Sequence, residues 1–303
     1  MARRLSFSYY PWISQNISGD LLQQAIVRFV LLLNDTLRSM PGNDFEIDAP
    51  VVFDIPKQME EIKSPPVGVV GKIALMNPLG YLLARKNDTG QVDEQVKAIA
   101  VVLRLEAGKP PSEAKPVPTY KSQLYTNVKT RINTLEQVRD KLLGFGSSNS
   151  TSNFLVPAAH LLMNGIHPLS AFKEVVFTGG HKETARAVYH GALDVGAGHD
   201  GVIVDLVSEF KDATTVLKTI EGGWSEDIPS DPVVMNAPDD ARERVFEALA
   251  KLAAPNKPDS EGNAAVESFW GTKQGFKTID PDAYDVLFKS MKLLNLKKKD
   301  LMK

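Results

Sequence analysis

Apolar residues recur along this chain with two spacings that alternate. Leu22, Ile26, Phe29, Val30, Leu33 and Leu37 fall three or four apart, the spacing of one helical face, with Ser18 placed to cap it. Arg4 to Tyr10 reads as a short strand that ends in the loop Tyr10-Pro11-Trp12. Beyond the helix, Phe45 to Phe53 reads as strand, Pro56 to Lys63 as a polar segment and Gly71 to Met76 as strand. Asn77-Pro78 stops that strand, Leu79 to Arg85 reads as a helical turn or helix, and Lys97 to Leu105 is a fourth, strongly apolar strand. The alternation predicts an α/β fold with crossovers.

Four prolines (Pro110, Pro111, Pro116, Pro118) between Lys109 and Pro118 predict an extended connector, and the first domain boundary is expected near it. The alternation then restarts. Ser122 to Thr126, Leu142 to Ser147 and Glu174 to Phe177 read as strands; Leu135 to Lys141, Asn153 to Asn164 and Glu183 to His190 read as helices. Gly201 to Leu206 is a strand or a helix start, and Thr215 to Ile220 could carry the chain back to the first domain. The tail shows two helices, Asp239 to Ala253 and Pro281 to Leu294, and Lys297-Lys298-Lys299 reads as a solvated helix end.

At 303 residues, and about 150 per domain, two domains are expected. An apolar content of 43% excludes disorder over most of the chain. Lys and Arg number 35 against 37 Asp and Glu, which argues against a dedicated nucleic-acid binder. The absence of cysteine removes disulfides, thiolate metal sites and cysteine nucleophiles together. No run reaches the roughly 20 apolar residues that span a bilayer. Arg3 and Arg4 mimic the start of a signal peptide, but Ser6, Ser8 and Pro11 break the apolar segment that such a peptide needs. The chain therefore reads as mature, as one from which a signal was removed, or as cytosolic.

Three glycine- and hydroxyl-bearing turns carry the candidate chemistry. In the first, Gly144 to Asn153 delivers a strand into a helix through a loop with seven hydroxyl or amide residues from Ser147 to Asn153. A helix start leaves backbone N–H groups unpaired and carries partial positive charge, so an anion docked there meets those groups and the hydroxyls of Ser150, Thr151 and Ser152. A plain helix cap with surplus hydroxyls is the competing reading. The second turn, Thr178-Gly179-Gly180-His181, sets His181 at a helix start where it can donate to an oxyanion or merely pack. The third, Gly196 to Gly201, carries Asp200 at its tip, as an acceptor for a ligand proton or as a turn former, with His199 the weaker candidate beside it. Tyr10 and Tyr81, at the ends of two strands, can wall a pocket or pack in corners. No phosphate-binding P-loop, nucleophile elbow or familiar metal spacing of the five histidines is present. His160 and His167 read as packing or surface residues.

The order of these motifs resembles the phosphonate, phosphate and phosphite substrate-binding proteins of ABC importers, a family of type II periplasmic binding proteins. Its G-S-T-S-G-like loop is similar to Ser150-Thr151-Ser152-Asn153, its F-x-G-G-H turn to Phe177 to His181, and its D-x-G-A-x-x-D stretch to Asp194 to Asp200. Asn77-Pro78-Leu79-Gly80-Tyr81, Tyr120-Lys121-Ser122 and Ile228 to Val234 are similar to further family segments, so the likeness runs from about residue 5 to 295. Asn153 stands where the family has glycine, Asn77 where glycine is more frequent, and one residue is added before Asp200.

The resemblance implies a two-lobed fold joined by two crossing segments, with lobe one at 1–115 plus 219–303 and lobe two at 116–218. It implies a ligand cleft between the lobes. Ser150, Thr151 and Ser152 would hold a phosphorus oxyanion and His181 would donate to it. Tyr10, Asn77 and Tyr81 would contribute from lobe one, Tyr120 would flank the hinge, and Asp200 would read a protonated oxygen or an amine. The implied partner is a membrane ABC permease, the implied location periplasmic or extracytoplasmic, and no cofactor, metal or nucleic acid is expected. A cytosolic biosynthetic enzyme and a ligand-sensing domain on the same fold are the alternatives.

Overall fold

A computed structural model describes residues 2–14, 16–64, 66–106, 112–257, 260–271 and 273–302. The chain divides into two compact units, Met1–Thr119 with Pro229–Tyr284, and Tyr120–Ile228 with Asp285–Lys303. It therefore passes between units three times, not twice, and the last nineteen residues, expected in lobe one, lie with the second unit. The start of the proline-rich connector, Lys109, Pro110 and Pro111, lies outside the described residues.

In the first unit a mixed sheet runs Lys273–Lys277, Lys97–Leu105, Pro232–Asn236, Gly71–Leu75, Arg3–Tyr9 and Phe45–Ile47 across its width. Arg3–Tyr9 is parallel to both of its neighbours in this order, and Pro232–Asn236 is antiparallel to both of its own. Leu5, Phe7 and Tyr9 alternate inward along the first strand, the two-residue period of a strand with one buried face. The helix Gly19–Ser39 buries the six residues that the spacing picked out. Ser18 sits at its N-cap position without a side-chain bond. Asn34, buried on the same helix, both donates to and accepts from the Ile47 backbone at 2.8 Å, which ties helix to sheet.

Two expectations need correction here. Phe45 to Phe53 is two short strands, Phe45–Ile47 and Val51–Val52, not one. The polar segment is a helix, Ile55–Lys63: Asp54 accepts from Lys57 N at 2.8 Å, Pro56 occupies the first turn, and Ile55, Met59 and Ile62 are buried. Among the elements that went unread are the strands Val195–His199, Pro232–Asn236 and Lys273–Lys277 and the helix Glu261–Trp270.

The second unit holds a five-stranded sheet in the order Glu174–Phe177, Leu142–Phe145, Val195–His199, Ser122–Asn127 and Leu217–Trp224. The first three are mutually parallel; the last two pairings are antiparallel. Leu135 to Lys141 is only a short 3-10 turn, Leu135–Val138. Tyr125, Ala185, Val188, Val202, Leu206 and Leu217 form one core cluster. The chain goes from Leu142–Phe145 to a neighbour on one side, then returns to Val195–His199 on the other. Such a reversal opens a crevice at the carboxyl ends of the parallel strands.

Candidate functional site

All three glycine- and hydroxyl-bearing turns lie at that edge of the second unit. Phe145 and Phe177 are register partners, so the loops after them start side by side. Thr178 N donates to Phe145 O at 2.9 Å and Gly179 N to Gly146 O at 3.0 Å, which locks the two turns together. Gly179 has φ +97, a backbone that a residue with Cβ adopts at a cost. Beneath them, Phe145 packs edge-on to Phe154 at 5.2 Å and Phe154 lies 5.2 Å from Phe177. These contacts give the loop a rigid floor.

The hydroxyl-rich loop enters a five-residue π-turn, Thr151–Leu155, that continues as the helix Val156–Met163. Such wide turns recur at functional sites. Ser150 is the cap: its Oγ accepts from Asn153 N at 3.2 Å. That bond uses an oxygen lone pair and leaves the hydroxyl proton undonated among the described residues. Thr151 and Ser152 are buried. The Ser152 carbonyl is held by the buried Ser122 hydroxyl at 2.9 Å, while the Ser152 hydroxyl has no partner among the described residues. Ser122 thus emerges as a fixing residue of the loop; its only sequence signal was the Tyr120-Lys121-Ser122 segment. The helix Asp285–Leu293 packs against both the turn and the helix that continues it.

Asn153 is fully buried, and neither its Oδ1 nor its Nδ2 has a hydrogen-bond partner. The amide lies against Gly146, where a Cβ would approach Oδ1 to 2.4 Å. Glycine at 146 is therefore required by the Asn153 side chain, a coupling invisible in the sequence.

His181 opens the helix His181–Tyr189. Its Nδ1 accepts from His199 N at 3.4 Å, and the two rings stand edge-to-face at 4.7 Å. An Nδ1 that accepts an N–H leaves the imidazole proton on Nε2, so His181 offers a neutral donor. His199 is fixed in turn: Nδ1 accepts from Gly201 N at 3.1 Å and Nε2 lies 3.3 Å from Asp205 Oδ2. The strand Val195–His199 runs in unbroken antiparallel register, His199 opposite Ser122. At its end the Asp200 side chain is 7% exposed, with Oδ2 accepting from Lys121 N at 3.3 Å.

The first unit holds the other candidates differently. Tyr10 and Asn77 come just after the parallel neighbours Arg3–Tyr9 and Gly71–Leu75, so they share a sheet edge. Asn77 caps the helix Pro78–Arg85, its Oδ1 accepting from Gly80 N at 2.6 Å. Tyr81 is a core residue: it is 0% exposed, its hydroxyl accepts from Ala98 N at 3.2 Å, and its ring meets Tyr284 edge-on at 4.8 Å. Tyr10 is buried, and so is Tyr120, in the two-residue strand Thr119–Tyr120. Elsewhere, His160 Nε2 lies 2.7 Å from Gly222 O and His167 Nδ1 accepts from Leu169 N and Ser170 N, both local packing roles. Among the described residues no cluster of three or more His, Asp or Glu side chains is placed to hold a metal ion.

Two mixed α/β sheets of this kind define the type II periplasmic binding proteins, and solved structures of that class match nearly the whole chain. One is the binding protein component of an ABC phosphonate transporter from Pseudomonas aeruginosa, with TM-score 0.66 and 20% identity over 97% of this chain and 87% of that one. Another, from Prochlorococcus marinus (MIT 9301), was solved with methylphosphonate; it has TM-score 0.67 and 16% identity over 97% and 98%. At these identities the likeness establishes the fold. The family is shown by sequence: the family of ABC transporter phosphonate periplasmic substrate-binding proteins matches residues 43–284, and this chain belongs to it. It is a family of binding proteins rather than enzymes.

Among curated relatives, the phosphonates-binding periplasmic protein of Escherichia coli (strain K12) is 30% identical over 137 residues, 43% of this chain and 39% of that one. The phosphate-import protein of Mycolicibacterium smegmatis is 27% identical over 164 residues, 52% and 46%. The matched stretch thus spans less than half the length of either relative. Among the described residues no helix is long and apolar enough to cross a membrane.

Proposed function

We propose that this protein captures a phosphorus oxyanion, whether phosphonate, phosphate or phosphite, and delivers it to an ABC permease from an extracytoplasmic position. One observation carries the reading. The hydroxyl-rich helix start keeps donors unspent, at Ser150 Oγ and Ser152 Oγ, on a loop fixed from below and behind. A tetrahedral anion with several acceptor oxygens is the ligand such a set satisfies. Ser150, Thr151 and Ser152 hold it, His181 donates through Nε2, and Asp200 accepts a ligand proton. Tyr10 and Tyr120 belong to the proposal as aromatic walls, each of its own unit. Asn77, at the same sheet edge as Tyr10, belongs to the proposal from the first unit, whereas the fully buried Tyr81 serves that unit's interior. Family membership supports the assignment, and the names of the two curated relatives span both phosphonate and phosphate.

Thermal unfolding against phosphate, phosphite, methylphosphonate, 2-aminoethylphosphonate and sulfate tests it. A ligand at 100 times its Kd adds about 2.7 kcal/mol. A midpoint shift with a phosphorus oxyanion and none with sulfate is the expected result. A flat panel, or an equal response to sulfate, refutes it.

A further inference from the structure

The Asn153 carboxamide is the one fully buried side chain at the anion-binding loop with both of its polar atoms unpartnered. A buried amide without partners destabilises a fold, and a native protein that retains one has a use for it. The group sits within the loop that it terminates, against Gly146, one residue after Ser152. Its backbone is already committed: Asn153 N donates to Ser150 Oγ, and Asn153 O accepts from Gly146 N at 3.4 Å. Only the side chain has bonding capacity left.

We propose that Asn153 is a specificity residue of the anion site, reading a ligand that carries both an acceptor oxygen and an O–H. This rests on the oxyanion reading above. The Ser150 and Ser152 hydroxyls rotate to donate or accept, His181 donates and the Asp200 carboxylate accepts, so none of them fixes a donor beside an acceptor. A carboxamide presents a donor at Nδ2 and an acceptor at Oδ1 side by side. A P–O⁻ and a P–OH on one phosphorus match that pair; sulfate, with four acceptor oxygens, leaves Oδ1 facing an oxygen lone pair. Sites that bind a ligand proton discriminate by leaving a buried group unpaired against the wrong ligand. The enclosure of the amide means that the Ser150–Leu155 turn must yield for contact.

Isothermal titration of Asn153→Ala and Asn153→Gly with inorganic phosphate, methylphosphonate and sulfate, beside the parent protein, decides it. The expected result is a loss of about tenfold or more for phosphate and methylphosphonate, with sulfate unchanged, so that discrimination narrows. Without ligand, Asn153→Ala is expected to unfold at or above the parent's midpoint, because an unsatisfied amide is gone. Parent-like phosphate affinity in both variants overturns the proposal and leaves the oxyanion reading standing. An equal loss for phosphate and sulfate overturns it too, by reducing Asn153 to a loop support. A parent protein that binds none of the three probes overturns both readings.

Discussion

Two helix starts in this protein share a plan, and only one has the character of a binding site. Asn77-Pro78-Leu79-Gly80-Tyr81 in the first unit and Ser150-Thr151-Ser152-Asn153 in the second both come after a strand and both cap a helix with a side-chain oxygen. In the first unit the oxygens accept from the unit's own backbone. Asn77 Oδ1 takes Gly80 N, and the Tyr81 hydroxyl takes Ala98 N deep in the core. In the second unit the cap keeps its proton, Ser152 Oγ has no partner among the described residues, and the Asn153 amide is left over. Both sequences carry polar residues at a helix start. What separates structure from function is how many of those groups the fold leaves unspent.

The largest expected effect comes from the unspent side. Ser150→Ala with Thr151→Val removes two donors to a charged ligand, each worth about 1.5–3 kcal/mol. Affinity for the phosphorus oxyanion is expected to fall about a hundredfold or more in titration calorimetry, with an unchanged circular dichroism spectrum. Parent-like affinity would put the anion elsewhere and erase the contrast.

The spent side should answer in stability alone. Tyr81→Phe leaves Ala98 N without its acceptor and is expected to cost about 1 kcal/mol in urea unfolding, with oxyanion affinity preserved. A drop in affinity with stability intact would make Tyr81 a ligand contact after all.

His181→Ala sharpens the comparison within the second unit. Because His199 N occupies Nδ1, the ring donates as a neutral group. The ligand supplies the charge, so the expected loss is about 1.5–3 kcal/mol of binding, the same as for one hydroxyl donor. A larger loss, appearing only at low pH, would mark a protonated ring.

The smallest effect is electrostatic. Arg85 is buried, and its hydrogen bond holds the Asp282 carboxyl below the usual carboxylate range. A depressed folded-state pKa adds stability above the unfolded value, about 3.9, and that stability is lost as pH falls through the folded one. Asp282 is mostly exposed, so the contribution is small. Asp282→Asn should unfold earlier than the parent at pH 7 and converge with it near pH 3; parallel curves at both pH values would contradict the pairing.

The sequence made much of this legible. The six-residue helical stripe, the parallel strands of the second unit other than Val195–His199, and the hydroxyl-rich loop all come from spacing and turn chemistry. Val195-Gly196-Ala197-Gly198-His199 was unreadable as a strand because its glycines erase the alternation, and Tyr125 packs where their side chains would stand. The Ile55–Lys63 helix hid behind its charge, since only its buried stripe is apolar. Tyr81 looked like a pocket wall because sequence cannot tell an inward tyrosine from a cleft-facing one. Asn153 stood out only as a departure from a pattern; its missing partners are a property of three-dimensional packing.

The most direct test of the central claim is residue-resolved. Titrating methylphosphonate into isotopically labelled protein and tracking backbone and side-chain amide resonances compares both helix starts in one experiment. The account predicts that the largest shifts fall on Thr151, Ser152 and Asn153, including the Asn153 side-chain amide, with Gly80 and Tyr81 far smaller. Shifts concentrated on Gly80 and Tyr81, with Thr151 to Asn153 silent, would contradict it.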